Sequence, residues 1–143
     1  MPILRLCAKF NVFPDNHLLG PEFTLAAFHF KQLGTPDMIA NDTAEERGLS
    51  IPNDGVAITL PLLSTQVQMR IGTFNSPLDI LVADNSGTVV SKQTVPFLNT
   101  YKDYTVSANE IFMIKLIGGG FEGLLASICI EIPPCMEGKR EGR

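Results

Sequence analysis

The side chains best suited to acid–base or nucleophilic chemistry are few, and they are scattered along the chain. The only histidines are His17 and His29. A Ser-His-Asp triad needs its nucleophile on a sharp, rigid turn, and no G-x-S-x-G sequence supplies one here. Lone histidines without fixed partners are rarely catalytic. We therefore interpret both histidines as structural or solvent-exposed.

Four acidic residues gather in one segment, at Asp37, Asp42, Glu45 and Glu46. A glycosidase would need two carboxyl groups held roughly 5–10 Å apart in a cleft, and nothing in this spacing predicts such a pair. Asp and Glu side chains stay exposed unless they are paired. We therefore predict a solvated acidic loop here, and a protein that is not an enzyme.

Residues 118–123 form a glycine-rich segment, Gly-Gly-Gly-Phe-Glu-Gly. A phosphate-binding loop would continue into a helix that begins with Lys-Ser or Lys-Thr, but strand-like sequence lies on both sides of this segment. We predict a wide turn in which the glycines supply positive φ.

Aromatic side chains are the first candidates for contact with a carbohydrate, because pyranose rings have apolar faces. The chain has no tryptophan and two tyrosines, Tyr101 and Tyr104. Their spacing of three puts them on opposite faces of a strand. One is predicted to pack inward, and the other, with Asp103 and Asn99 nearby, is a candidate ligand contact.

Three phenylalanines, Phe74, Phe97 and Phe121, lie in or near predicted turns. Such rings more often anchor a loop to the core than contact a ligand. If all three were exposed together, they would form an apolar patch that needs a partner. The candidate ligand-binding residues are Asn99, Tyr101, Asp103, Phe74 and Phe97.

Three cysteines, Cys7, Cys129 and Cys135, cannot all be paired within one chain. Cys7 and Cys129 fall on the outward side of the first and last predicted strands. A disulfide between them is sterically feasible, but we favour two half-buried thiols because no secretion signal is visible. Cys135 is the odd thiol.

Short alternating segments bounded by turn residues dominate the sequence. Strands are predicted over residues 3–12, 28–33, 56–60, 65–71, 78–83, 88–95, 101–106, 111–117 and 124–132, with a hairpin turn at 84–87 and one helical turn at 43–47. Eight or nine strands at this spacing predict an all-β fold, an antiparallel sandwich or barrel.

The length and the net charge of the chain exclude further classes of protein. We expect the 143 residues to form a single domain at residues 1–133 and a charged tail at 134–143. The net charge of −4 would repel nucleic acid, and no apolar run approaches the ~20 residues of a membrane-spanning helix. No signal peptide is evident. The protein is extracellular or at the cell surface if a leader was removed, and otherwise cytoplasmic.

The order of these segments resembles the strand order of a known protein family. The hairpin Ala-Asp-Asn-Ser-Gly-Thr-Val-Val at residues 83–90 and the later glycine-rich turn carry the likeness, which spans residues 4–132. They resemble bacterial jelly-roll β-sandwiches of the galactose-binding-like, carbohydrate-binding-module type. The resemblance implies jelly-roll topology. It also implies a structural calcium near the first and last strands, with Glu131 and Asn11 as candidate ligands.

Two functions follow from this interpretation. The first is a non-catalytic module that binds carbohydrate or a cell-surface glycan through loops at one end, formed by residues 14–22, 35–47, 74–77 and 96–101. The alternative is a structural subunit that self-assembles through strand edges or a sheet face as a homo-oligomer. The alternative is supported by small polar residues at outward-facing positions, where charged residues usually prevent an exposed strand edge from pairing with another chain. They are Gln66, Gln68, Ser91 and Gln93.

Overall fold

The computed structural model describes residues 4–35, 37–43 and 46–132 and places eleven β-strands within them. The strands are β1 (Leu4–Lys9), β2 (His17–Gly20), β3 (Glu22–Leu25), β4 (Phe28–Gln32), β5 (Met38–Thr43), β6 (Glu46–Ile51), β7 (Val56–Thr73), β8 (Leu78–Ala83), β9 (Val89–Val95), β10 (Thr100–Gly118) and β11 (Gly123–Ile132). A 3₁₀ helix, Phe10–Val12, follows β1.

The strands form two layers that share the two longest strands, β7 and β10. The front sheet has the order β2-β5-β6-β11-β7-β10, and β1 also pairs with β11. The back sheet has the order β3-β4-β7-β10-β8-β9. All pairs are antiparallel. This is the antiparallel β-sandwich with jelly-roll topology that the sequence predicts.

Strand β7 belongs to both layers because the alternation of its core-facing side chains changes along the strand. In β7 the core residues are even-numbered in the back sheet and odd-numbered in the front sheet: Val56, Ile58 and Leu60, then Val67, Met69 and Ile71. Because strand side chains alternate with a period of two, the switch needs an irregular stretch. Pro61 and the exposed Leu62 and Leu63 occupy it. In β10, register shifts occur on both sides of Ile111, and the core residues before and after it, Val106 and Ile114, are both even-numbered.

The core lies between the layers and takes side chains from both. Three of its largest residues, Phe10, Phe28 and Phe30, are fully buried. Phe10 meets Phe30 edge-on with ring centroids 5.4 Å apart, and Phe23 stacks on Phe30 at 4.7 Å. Edge-to-face and stacked aromatic pairs contribute about 0.5–1.5 kcal/mol each beyond area burial. These rings fix the 3₁₀ helix and the β3–β4 hairpin onto the sandwich.

The predicted number of eight or nine strands was too low. Residues 56–60 and 65–71 belong to a single strand, β7, and residues 101–106 and 111–117 to a single strand, β10. In addition, β2, β3, β5 and β6 were not predicted. These strands are short, and turn residues interrupt them, so alternation is too brief to detect. Residues 134–143, the predicted tail, lie outside the described residues.

The predicted helical turn at residues 43–47 is wrong for Thr43, Glu46 and Arg47, and Ala44 and Glu45 lie outside the described residues. Thr43 ends β5 and Glu46 begins β6, and these two residues pair with each other across the two strands. An isolated helical turn is unstable because fixing the backbone of its residues costs more conformational entropy than its single hydrogen bond offsets. Pairing with a neighbouring strand therefore decides the structure on both sides of this segment.

A bulge in β11 overturns a simple alternation pattern. Alternation predicts that Leu124, Ala126 and Ile128 share the core face. The register shifts between Leu125 and Ser127, and Leu125 joins the main core with Ile128 instead. Leu124 and Ala126 turn to the outer surface of the front sheet. One extra residue in a strand moves every side chain on one side of it to the opposite face of the sheet.

Candidate functional site

Four turns meet at one end of the sandwich, which we call the loop end. They are residues 52–55, 74–77, 96–99 and 119–122. Three of them adjoin neighbouring strands, because Thr73 pairs with Thr100 on one side and Gly123 on the other. Two of the four loop segments predicted to bind a ligand lie here. The other two, residues 14–22 and 35–47, are largely strands β2, β3, β5 and β6.

Hydrogen bonds fix the turns of the loop end to one another. The Thr73 hydroxyl donates to the Pro96 carbonyl at 2.7 Å. The Gly120 N–H donates to Asn53 Oδ1 at 2.9 Å, and the Asn75 side-chain amide donates to the Gly120 carbonyl at 3.0 Å. The turns therefore form one connected surface.

The loop end exposes two aromatic rings, those of Phe121 and Phe97, at 55% and 48% of their area. Phe121 has φ of 67°, which is an outlier for a bulky residue. The preceding Gly120 leaves no room for a side chain, because a Cβ would lie 2.3 Å from the Asn75 amide nitrogen. Positive φ at a residue other than glycine costs about 1–3 kcal/mol. The turn thus exposes an aromatic ring to solvent and holds its residue in a backbone conformation that phenylalanine rarely adopts.

Asn99 lies on the same surface. It is exposed, has φ of 57°, and its N–H donates to the Thr73 carbonyl at 2.8 Å. Asparagine tolerates this conformation better than most residues. Two of the five predicted ligand-binding residues, Phe97 and Asn99, are therefore brought together at the loop end.

Phe74 and Tyr101 form a small apolar cluster with Leu124 and Ala126 on the outer surface of the front sheet. The two rings meet edge-on with centroids 5.5 Å apart. Tyr101 is 5% exposed, so its ring cannot serve as an open platform. As predicted, Tyr104 points the other way and packs against the main core.

The Tyr101 hydroxyl is buried, and no hydrogen-bond partner for it lies among the described residues. Burial raises the pKa of Tyr101, and the nearby Glu46 carboxylate raises it further. Gly48 makes this packing possible, because a Cβ there would lie 2.7 Å from the hydroxyl oxygen. The phenol therefore stays protonated in the folded protein.

Asp103, the remaining predicted ligand contact, belongs to an ion-pair network on the front sheet. Arg70 Nε lies 2.6 Å from Glu46 Oε2, and Arg70 Nη1 lies 3.2 Å from Asp103 Oδ1. The guanidinium carbon stands 5.8 Å from the centre of the Tyr101 ring. Hydrogen bonds from Arg70 to Glu46 and Asp103 raise the pKa of Arg70.

A groove of about 260 Å³ runs beside this network. Its walls include Arg5 and Gln68, whose side chains are hydrogen-bonded to each other, and also Thr105 and Ser127. Tyr104 also lines the groove, where it is half-buried and packs against the main core, whereas Tyr101 is not among the lining residues.

The structure joins Cys7 and Cys129 in a disulfide, in place of the two thiols that we favoured. Their Cα atoms are 4.1 Å apart at paired positions of β1 and β11. Both residues point outward from the core, so the predicted face of the sheet is correct. The predicted free thiols are wrong, because the two residues form a disulfide. Cys135 lies outside the described residues.

The two residues proposed as calcium ligands lie at opposite ends of β1. Glu131 pairs with Arg5 near the start of that strand, whereas Asn11 follows its end in the 3₁₀ helix. The extended chain from Arg5 to Lys9 spans about 13–14 Å, and Asn11 lies beyond it in the 3₁₀ helix, so the two residues do not lie side by side. Within the described ranges, no three His, Cys, Asp or Glu side chains are grouped to hold a metal. The calcium site stays a prediction that needs other ligands.

The histidines lie on exposed surface, as predicted. His29 Nε2 is 2.5 Å from Glu22 Oε2, and its Nδ1 is 3.2 Å from the Thr24 hydroxyl. All three belong to the open face of the β3–β4 hairpin. The His17 ring stacks on Phe13 with centroids 5.1 Å apart.

Two of the four acidic residues of the predicted loop, Asp42 and Glu46, lie instead in the paired strands β5 and β6. Asp42 forms a two-contact ion pair with Arg47, at 2.5 Å and 2.8 Å. The hydrogen bond from Arg47 lowers the pKa of Asp42. Glu46 binds Arg70, and Asp37 is exposed. Glu45 lies outside the described residues.

Phe121 and Asn75 are not among the five ligand-binding residues predicted from the sequence, although Asn75 lies in the predicted loop 74–77. The available signal was the Gly-Gly-Gly-Phe order at residues 118–121, which marks a turn whose backbone has unusual freedom. Separately, no helix of the described part of the chain is long and apolar enough to cross a membrane.

Comparisons with known proteins bear on the fold. Neither a protein-family model nor a curated protein sequence matches the chain. Among solved structures, it is similar to CBM29_1, a family 29 carbohydrate-binding module from Piromyces equi, with TM-score 0.53, 8% identity, and coverage of 96% of this chain and 95% of that one. It is also similar to a point mutant of a family 29 carbohydrate-binding module, with TM-score 0.52, 9% identity, and coverage of 91% of this chain and 92% of that one. At these identities the likeness shows a shared β-sandwich fold.

Proposed function

We propose that this protein is a non-catalytic glycan-binding module whose ligand contacts Phe97, Asn99 and Phe121 at the loop end. The observation that carries the proposal is the exposed ring of Phe121, held at positive φ in a hydrogen-bonded turn. Strained residues persist where the surrounding structure holds them, and they cluster at ligand sites. A flat ring held in this way suits the apolar face of a pyranose, with Asn99 and Asn75 available for its hydroxyl groups.

The loop end fits a sugar better than the front-sheet groove does. In the groove, Arg70 already binds Glu46 and Asp103, and Arg5 binds Gln68. A ligand there would have to break these contacts, and the aromatic residue of the groove, Tyr104, is half-buried and packed against the core. The loop end presents both apolar rings and amide groups on an open surface.

The charge of the loop end indicates a neutral glycan. Its four turns contain two ionisable side chains, Asp54 and Glu122, and no lysine or arginine. Uronic acids and sulfated sugars would be repelled by these carboxylates. The fold likeness to proteins named carbohydrate-binding modules supports the non-catalytic assignment.

Glycan-array binding of neutral oligosaccharides tests the proposal. Phe121→Ala and Phe97→Ala are expected to weaken the strongest hit by about tenfold or more, since aromatic anchors dominate such interfaces. Asp103→Ala, in the groove, and Leu62→Ala, an exposed apolar residue of β7, are the matched controls and are expected to bind normally. Loss of binding in Asp103→Ala with normal binding in both phenylalanine variants would place the site in the groove and refute the proposal.

The disulfide supports a location in an oxidising compartment, because such bonds persist in secreted and cell-surface proteins and are rare in the cytosol. We propose an extracellular or cell-surface protein. The test is the intact mass of the protein isolated from its source under non-reducing, thiol-blocking conditions. Alkylation of Cys7 and Cys129 in that sample would contradict the proposal.

Strand β9 offers a candidate surface for the self-assembly alternative. Strand β9 is the last strand of the back sheet, and its Val89 and Val90 are 50% and 47% exposed. Exposed apolar edge strands can pair with other chains. Light scattering after size exclusion, over a range of concentrations, separates this alternative from a monomeric module.

A further inference from the structure

The outer surface of the back sheet carries a row of lysines that the glycan proposal does not use. Lys31 pairs with Ala57, which pairs with Lys115 on its other side. Lys115 pairs with Leu81, and Leu81 with Lys92. Residues directly opposite each other in a sheet point to the same face. Lysine and apolar residues therefore alternate across five neighbouring strands, and we call this set the lysine row.

The register fixes the spacing of the row. Neighbouring strands lie ~4.8 Å apart, so lysines on every second strand are separated by roughly 9.6 Å at the backbone. The residues between them are small or partly buried: Ala57 is 8% exposed and Leu81 is half-buried. The row thus places three lysines at even backbone spacing, with apolar residues at the positions between them.

Two of the three lysines are not neutralised. Within the described residues, Lys31 and Lys115 take part in no ion pair. Lys92 has one long contact, 3.9 Å to Asp79.

A carboxylate does stand at the end of the row. Glu22 is paired with Lys31 in the ladder, but its Oε2 lies 2.5 Å from His29 Nε2 and so is directed along the sheet. The row therefore keeps a local excess of positive charge on a protein whose net charge is −4.

We propose that the lysine row binds an acidic polysaccharide that carries one carboxylate or sulfate per disaccharide and lies across the strands of the back sheet. Regular spacing of charge along such a chain matches lysines on alternate strands, and the apolar residues between them let the sugar rings lie flat. General attraction cannot explain binding, since the whole protein repels a polyanion. This surface is separate from the loop end, so the proposal stands or falls independently of the one above.

Hyaluronan is the probe, because it alternates a neutral sugar with a uronic acid, and dextran is the neutral control. Binding to immobilised hyaluronan is measured at about 20 mM salt and again at about 300 mM, where screening shortens the Debye length severalfold. The test variant is Lys31→Gln/Lys92→Gln/Lys115→Gln. The matched control is Arg5→Gln/Lys9→Gln/Lys102→Gln, three exposed bases away from the row.

Each triple variant has a net charge of −4 − 3 = −7, so the two variants are matched in net charge and differ in where it is lost. We expect the lysine-row variant to lose roughly tenfold in affinity at low salt, the control to lose less, and the wild type to release hyaluronan at high salt. Equal losses in both variants, salt-insensitive binding, or no binding by the wild type would each overturn the proposal. Lys115→Gln alone, at the centre of the row, repeats the test if the triple variant unfolds. Neutral-glycan binding is expected to be unchanged in every lysine variant.

Discussion

Cys7 and Cys129 are bonded at directly opposite positions of β1 and β11, so the first strand of the sandwich is covalently joined to the last. In the described part of the chain, β1 pairs with β11 and with no other strand. One ladder of backbone hydrogen bonds and one disulfide therefore hold this strand.

Reduction of this disulfide is expected to destabilise the protein by about 2–5 kcal/mol. The bond closes a loop with a sequence separation of 122 residues, and long loops lose the most denatured-state entropy when they are cross-linked. The measurement is urea unfolding of the wild type and of Cys7→Ser/Cys129→Ser. Cys135→Ser is the control and should match the wild type. Coincident unfolding curves for the wild type and the double variant would show that the bond contributes nothing.

Replacement of Phe121 by asparagine is expected to stabilise the fold by about 1 kcal/mol while it abolishes the proposed glycan contact. Asparagine adopts positive φ at lower cost than phenylalanine does, and the Phe121 ring is 55% exposed, so little packing is lost. Phe97→Asn is the control, because Phe97 is not among the residues with positive φ. A destabilised Phe121→Asn variant would mean that the ring packs against its turn and is not held there for a ligand.

The β3–β4 hairpin offers a second strained turn. Leu25 pairs with Phe28, so Ala26 and Ala27 form a two-residue loop, with φ of 51° and 69°. Such turns favour Asn-Gly because both central residues need positive φ. Ala26→Asn/Ala27→Gly is expected to raise the free energy of unfolding by about 1–2 kcal/mol.

The reverse change provides the control for that hairpin. Gly87 has φ of 87° and open space around its missing Cβ, so Gly87→Ala adds backbone strain without a clash. It is expected to lower stability by about 1 kcal/mol. If both changes move the melting temperature in the same direction, turn conformation is not what governs these hairpins.

Alternation and turn chemistry were enough to predict much of this architecture. The β8–β9 hairpin was predicted because a four-residue turn separates two clear strands, and the structure has it at Leu78–Ala83 and Val89–Val95. The opposite orientations of Tyr101 and Tyr104 follow from the period of two alone. Both features are local, so the sequence contains all the information that decides them.

Features that depend on pairing with distant strands could not be predicted. The Cys7–Cys129 bond needs β1 to lie beside β11 in one register, and the short strands β5 and β6 exist because they pair with each other. The β11 bulge lies where the pairing with β6 ends at Leu125 and the pairing with β7 shifts before Ser127. Phe121 was missed for the same reason, because hydrogen bonds to Asn53 and Asn75, far away in the sequence, fix its turn.

The turn of the β8–β9 hairpin depends on the charge of Asp84. Its Oδ1 accepts hydrogen bonds from the Ser86 hydroxyl at 2.7 Å, the Ser86 N–H at 2.9 Å and the Thr88 N–H at 3.0 Å. These bonds, that of the Ser86 side chain above all, lower the pKa of Asp84 below its usual 3.8. The unfolded chain therefore takes up this proton more readily than the folded protein does.

Because the pKa is depressed by folding, Asp84 stabilises the protein above pH 3.8, and this contribution is lost as the pH falls below that value. Asp84→Ala is expected to be less stable than the wild type at neutral pH, and the difference should shrink as the solution is acidified through this range. Asp37→Asn removes a carboxylate from outside the turn and controls for the change in net charge. Denaturant unfolding at a series of pH values measures the difference. A gap between wild type and Asp84→Ala that stays constant from neutral pH to well below pH 3.8 would show that the shape of the side chain, and not its charge, holds the turn.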